Sequence, residues 1–256
     1  MKHVFLAVFD SVWKRKETKI FLAFSLYPLV YFIASFFGNS NFMQIASGDG
    51  AKLGYIDFAD LILNSMDMMI LPTLALYFLT ISVFKRELDD HTMFLYKDIN
   101  RKTIYFSKYF SLLIVLVIYF GMFLISSLIV YYTRVSSMNF GTTCFWSESL
   151  YYTFVDILSI FTVFLKGILS ISLASFLSVR LGTGATMTTA IVLSLAMMVT
   201  SVIGGPIAVI FPNGYNQFVT SLSTVWIGFI GPLFLTFIYS IIFNHFSWKK
   251  FKSLEF

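Results

Sequence analysis

The chain has 256 residues, 58% of them hydrophobic and 12% charged, with a mean hydropathy of +0.82. A soluble domain carries about 25% charged residues, so this composition excludes a water-soluble fold. The formal charge of +5 does not point to nucleic acid either, because most basic residues flank apolar runs, where membrane orientation accounts for them.

At residues 1–19, Val4, Phe5, Val8, Phe9, Val12 and Trp13 recur at helical spacing while Lys2, His3, Asp10 and Lys14 fall largely elsewhere. That pattern predicts a helix lying in the membrane interface. Its apolar run is too short for a cleaved signal peptide and leads into a dense positive cluster rather than small residues. Apolar runs follow at about 20–37, 68–84, 109–132, 151–179, 181–203 and 219–243. Most approach or exceed the roughly 18 to 20 residues that cross about 30 Å of hydrocarbon. The expected fold is an all-α membrane protein of six transmembrane helices in one domain, with Pro28 and Pro72 bending their spans.

With the N-terminus inside, Lys2, Lys14, Arg15, Lys16, Lys19, Lys85, Arg86, Lys97, Arg101, Lys102, Lys108, Arg180, Lys249, Lys250 and Lys252 all fall on the cytoplasmic side. Lys52 and Arg134 fall outside, and Lys166 lies within a span. Both termini are then cytoplasmic, and residues 38–65, with Asp49, Asp57 and Asp60, form an extracellular loop, as do residues 134–148. Between the fifth and sixth spans, Gly204, Gly205 and Pro206 interrupt the helix and Pro212, Asn213 and Gly214 favour a turn. Residues 204–218 therefore form either a re-entrant segment dipping into the outer leaflet or an apolar loop packed on its neighbours.

The longest polar cytoplasmic stretch is 85–108, KRELDDHTMFLYKDINRKTIYFSK. Its early Glu87, Asp89 and Asp90 suit the positive end of a helix, and the apolar patch of Met93, Phe94, Leu95 and Tyr96 follows. A short amphipathic helix here either offers an aromatic knob to a soluble partner or rests on the headgroups.

The order Glu87, Thr92 with Leu95, Arg101, then Lys108 entering the third span resembles the cytoplasmic loop of permeases of the type-2 ABC exporter family. The likeness extends in outline to the whole chain: interfacial helix, six spans, an interrupted hairpin before the last span and a basic tail. Where the family commonly carries glycine before the threonine and proline before the arginine, this chain has His91 and Asn100. The resemblance implies a coupling helix at about 87–96, with Glu87, Leu88, Asp90, His91, Thr92, Met93, Phe94, Leu95, Tyr96 and Arg101 as ATPase-coupling residues. It further implies two copies of a cytoplasmic ABC ATPase, a second permease subunit, identical or related, and the bacterial cytoplasmic membrane as location. The expected activity is ATP-driven export of hydrophobic or amphipathic cargo, peptides first and then drugs or lipids.

The sequence itself holds no P-loop, whose glycines and lysine cradle phosphate. GDGAKLG from Gly48 reads as a polar turn, and LGTGATMTT from Leu181 lacks the lysine and reads as a helix-packing surface. ATP and Mg are therefore expected on a separate subunit, with no cofactor in this chain. Cys144 is the only cysteine and His3, His91 and His245 lie far apart, so no metal site is expected. No acid, base and nucleophile set assembles into an intramembrane enzyme; a noncatalytic assembly or sensor subunit is the other alternative.

Lys166 lies about 20 Å from the inner boundary of its span, too deep to snorkel inward. Such a lysine faces the bundle interior or a wet cavity; it either contacts cargo or holds a structural partner. Asp67 and Asp156 are the other translocation-path candidates. Asp156, about 15 Å away on the same helix, is not a direct partner of Lys166.

Overall fold

The structure is a computed structural model that describes residues 2–36, 52–86, 100–138 and 140–253. Among the described residues it is helical throughout, with a single isolated bridge between Leu53 and Gly141 in place of any strand. In chain order the helices are α1 (Lys2–Trp13), α2 (Lys16–Ala23), α3 (Pro28–Ala34), α4 (Tyr55–Met68), α5 (Leu71–Phe84), α6 (Arg101–Thr133), α7 (Leu150–Ser178), α8 (Thr183–Ile203) and α9 (Val225–Lys252). Four of them, α6 to α9, are long and apolar enough to cross a membrane. The bent pairs α2/α3 (48°) and α4/α5 (65°) pass the same test when each is taken as one span, which brings the number to six.

The centre of the bundle is α6, whose 33 residues rise about 50 Å at 1.5 Å per residue. Tyr105, Leu112, Val115, Tyr119, Phe123 and Val130 bury one face of it. Phe110, Ile114, Val117, Ile125 and Leu128 leave an equally apolar face exposed. A helix that is apolar all round belongs in hydrocarbon, where no polar face is needed. The same holds for α9, which exposes Ile227, Ile230, Phe234, Phe237 and Ile241. This is the membrane-protein character that the composition implies.

Helix α1 packs against α6 through Val8, Phe9 and the buried Val12, and the rings of Phe5, Phe9 and Trp13 stack along it. The bend in the first apolar pair falls at Pro28, as expected, where a 3-10 turn, Phe24–Leu26, precedes α3. Pro72 acts differently: it occupies the first turn of α5, where its missing N–H costs nothing. The 65° bend falls just before it, at Ile70, whose φ of 62° puts a β-branched residue in the left-handed region.

One expectation is corrected. Residues 55–65 do not belong to an extracellular loop but to α4, a helix packed into the core. Tyr55, Phe58, Ala59, Ile62, Leu63 and Met66 are buried on it at helical spacing. Asp57 and Asp60 make this segment read as polar, although an apolar stripe runs between them.

The other predicted break is present. Helix α8 stops at Gly204, with φ 69° and ψ −156°, and Gly205 also has positive φ. A one-turn helix, Gly205–Ala208, and a 3-10 segment, Pro212–Phe218, lead toward α9. The side-chain amide of Gln217 closes the segment by accepting from the Gly205 N–H at 2.7 Å and donating to the Gly205 carbonyl at 3.0 Å. At these dihedrals only glycine is unstrained, so Gly204→Ala is expected to cost about 1–3 kcal/mol. Thermal aggregation of the purified protein in detergent measures it.

Candidate functional site

Two polar constructions interrupt the apolar bundle. The first is a seam between α4 and α7. Both helices start at the same end of the bundle, which makes them parallel, and they carry polar residues at the same spacing: Asp57, Asp60, Asn64 and Asp67 on α4, and Asp156, Ser159 and Lys166 on α7. Steps of three, four and seven residues keep each set on one helix face, so the two rows face each other along the seam.

At the first rung the Asp57 and Asp156 carboxyl groups lie close together. Asp57 also accepts from the Gly54 N–H at 2.7 Å, capping its own helix, and Asp156 accepts from the Ser147 hydroxyl at 2.8 Å. One step further, the Asn64 amide donates to Asp60 at 2.8 Å and to the Ser159 hydroxyl at 3.0 Å. At the last rung the Lys166 ammonium sits 2.9 and 2.8 Å from the two Asp67 oxygens. From Asp57 to Asp67 the helix rises about 15 Å, half the hydrocarbon thickness.

The Lys166–Asp67 pair is the partnership the sequence left open. Lys166 is only 8% exposed, and a charge held that far from water requires a counter-charge. A small cavity of about 40 Å³, lined by Met66, Pro72, Leu116, Tyr119 and Gly167 among others, adjoins the pair. Gly167 leaves room for Leu116 of α6, since an added Cβ would meet its side chain at 2.8 Å. Asp67 lies three residues before Ile70, so the ion pair sits beside the strained break between α4 and α5. Of the three path candidates, Asp67 and Lys166 thus touch each other, while Asp156 lies at the far end of the same seam. Sequence reasoning missed Asp57, Asp60, Asn64, Ser147 and Ser159; the repeated spacing on the two segments was the signal that could have found them.

The second construction is a set of basic residues at one end of the bundle, where α5 ends and α6 begins. Arg15 donates to the Ser82 carbonyl at 2.7 Å and to its hydroxyl at 3.0 Å, joining the α1–α2 corner to α5. Lys85 reaches the Leu181 carbonyl before α8 at 2.9 Å, and Arg86 lies 3.9 Å from Glu17. On the α6 side, Arg101 donates to the Lys252 carbonyl at the end of α9 at 2.7 Å. Lys108, 1% exposed, donates to the Val83 carbonyl at 3.0 Å and faces the Phe84 ring. Residues 85–86 and 100–108 thus form a two-legged stem, each leg fastened to other helices. Asn100 caps the second leg by accepting from the Lys102 N–H at 2.9 Å.

Of the ATPase-coupling residues, Arg101 is described and stands in this stem. Glu87, Leu88, Asp90, His91, Thr92, Met93, Phe94, Leu95 and Tyr96 lie outside the described residues. Among the described residues no group of His, Cys, Asp and Glu is arranged to hold a metal ion. Comparison of the chain with protein-family models, with curated proteins and with solved structures returned no match.

Proposed function

We propose that the chain is the transmembrane permease of an ATP-driven ABC exporter, seated in the bacterial cytoplasmic membrane with its basic end and both termini in the cytoplasm. ATP and Mg belong to a separate ATPase, bound in two copies, and a second permease subunit, identical or related, completes the path. The cargo is hydrophobic or amphipathic, a peptide before a drug or lipid.

The observation that carries this reading is the fastened stem of the 85–108 loop. A soluble partner that grips the aromatic residues around Phe94 pulls on both legs. Through Arg15, Lys85, Lys108 and Arg101 that pull reaches α1–α2, the start of α8, and the ends of α5, α6 and α9 together. Rigid-body movement of packed helices is how such a displacement becomes a change of access. The α4–α7 seam is the element we assign to the path: it is closed by the Asp67–Lys166 pair and opens when the helices slide apart. Residues 204–218 are assigned to the outer leaflet, where the clamp of Gln217 on Gly205 satisfies backbone groups that lipid cannot.

The test is co-purification of the tagged chain with cytoplasmic ATPases of its host, for the native sequence and for Phe94→Asp. Cys144, exposed at the end opposite the stem, reports insertion: a membrane-impermeant maleimide added to intact cells is expected to label it in both proteins. An ATPase that accompanies the native chain and is lost from the labelled variant supports the reading. Absence of any ATPase under every nucleotide condition overturns it and leaves an assembly or sensor subunit or an unrecognised intramembrane enzyme.

A further inference from the structure

Helices α6 and α9 meet at the basic end, where Tyr105 donates to Asn244 at 2.7 Å and its ring packs against Trp248 and Phe251. Away from that contact they enclose a groove of about 690 Å³ with Leu165 and Ile168 of α7 among its lining. Its walls are apolar: Phe106, Phe110 and Leu113 on one side and Leu233, Phe237 and Ile241 on the other. The polar wall residues are largely spent on the protein itself. Ser240 accepts from Ser172 at 3.1 Å, and the Asn244 amide donates to the Ser240 carbonyl at 2.8 Å.

The mouth differs from the interior. Lys102, His245 and Trp248 line it, with Lys102 and His245 exposed, and Lys249 and Lys250 follow on the same helix. From Lys102 to Leu113 the groove extends about 17 Å along α6, close to the ~15 Å hydrocarbon depth of one leaflet. An apolar channel one leaflet deep, opening beside a tryptophan and an ammonium group at headgroup level, has the dimensions and polarity of a lipid.

We infer that this groove is a binding site for an anionic phospholipid of the leaflet at the basic end, with one acyl chain between α6 and α9 and its phosphate at Lys102. The site requires only that the bundle spans a bilayer, so it stands or falls separately from the exporter reading. Charge complementarity selects the lipid class, because a zwitterionic headgroup gains little from the ammonium group. One lysine beside an anionic headgroup contributes about 1 kcal/mol, which is about five-fold in occupancy.

The experiment is native mass spectrometry of the chain released from vesicles of equimolar phosphatidylglycerol and phosphatidylcholine. Native protein is expected to retain one phosphatidylglycerol with a preference of about five-fold. Lys102→Glu, at an exposed position, should abolish the preference, and Ile241→Trp, which fills the groove from an exposed position, should lower retention of both lipids. Equal retention of the two lipids by native protein, or variants that retain lipid as the native chain does, overturns the site. A dimer of native protein that Ile241→Trp dissociates also overturns it, since a second copy then occupies the groove.

Discussion

Asp67→Asn is expected to be the most damaging single substitution in the bundle. Among the described residues it leaves the Lys166 ammonium, 8% exposed at the bottom of the seam, without its paired carboxylate. Breaking one side of a buried ion pair costs about 3–5 kcal/mol. Lys166→Met should cost less, because the Asp67 side chain is 23% exposed against 10% for Lys166 and keeps some access to water. Replacing both, Asp67→Leu with Lys166→Met, removes the two desolvation penalties together and should recover most of the loss. Thermal aggregation in detergent gives the ranking. A double variant as unstable as Asp67→Asn would mean that the pair acts through something other than charge compensation. If the seam is the path, the double variant is stable but has altered transport, which separates a structural pair from one that meets cargo.

Lys108→Met is the second large effect. The ammonium group is buried where α5 and α6 come together and donates to the Val83 carbonyl. Methionine fills a similar volume but removes that charge-assisted hydrogen bond, at a cost of about 2 kcal/mol. Its functional cost should exceed its stability cost, since it unfastens one leg of the stem. If the exporter proposal holds, the expected outcome is a chain that inserts, binds an ATPase and no longer couples hydrolysis to movement, read as hydrolysis that cargo or the permease fails to stimulate. Loss of ATPase binding instead would place Lys108 in the docking surface itself rather than behind it.

Much of this arrangement is legible in the residues. Apolar runs located the long helices because in a bilayer an exposed face and a buried face are both apolar, and the run length needs no periodicity to be read. Pro28 and Gly204 marked their breaks because proline and glycine act on the backbone locally. The segment 55–68 was lost for the opposite reason. Its aspartates depress a windowed hydropathy, and only their register with Asp156, Ser159 and Lys166 on α7 shows that they face protein rather than water. Register between distant segments is a tertiary fact; Lys166 announced the need for a partner, and only the fold identified Asp67. Likewise, Arg101 and Lys108 could be picked out by their resemblance to a permease loop, whereas Arg15 and Lys85 read as ordinary positive-inside residues until the carbonyls they bind were located.

In the proposed exporter, movement of the stem at one end opens the seam at the other, and the accessibility of the seam reports that link directly. A cysteine at Ser159, on the middle rung of the seam, in a Cys144→Ser background, is labelled with a small thiol reagent in the assembled complex with and without a non-hydrolysable ATP analogue. The account predicts that nucleotide raises the labelling rate several-fold, on the order of ten-fold for a shift of about 1.4 kcal/mol in the opening equilibrium. Labelling that is unchanged by nucleotide in a complex that binds and hydrolyses ATP would contradict it, and would make the seam a fixed structural joint.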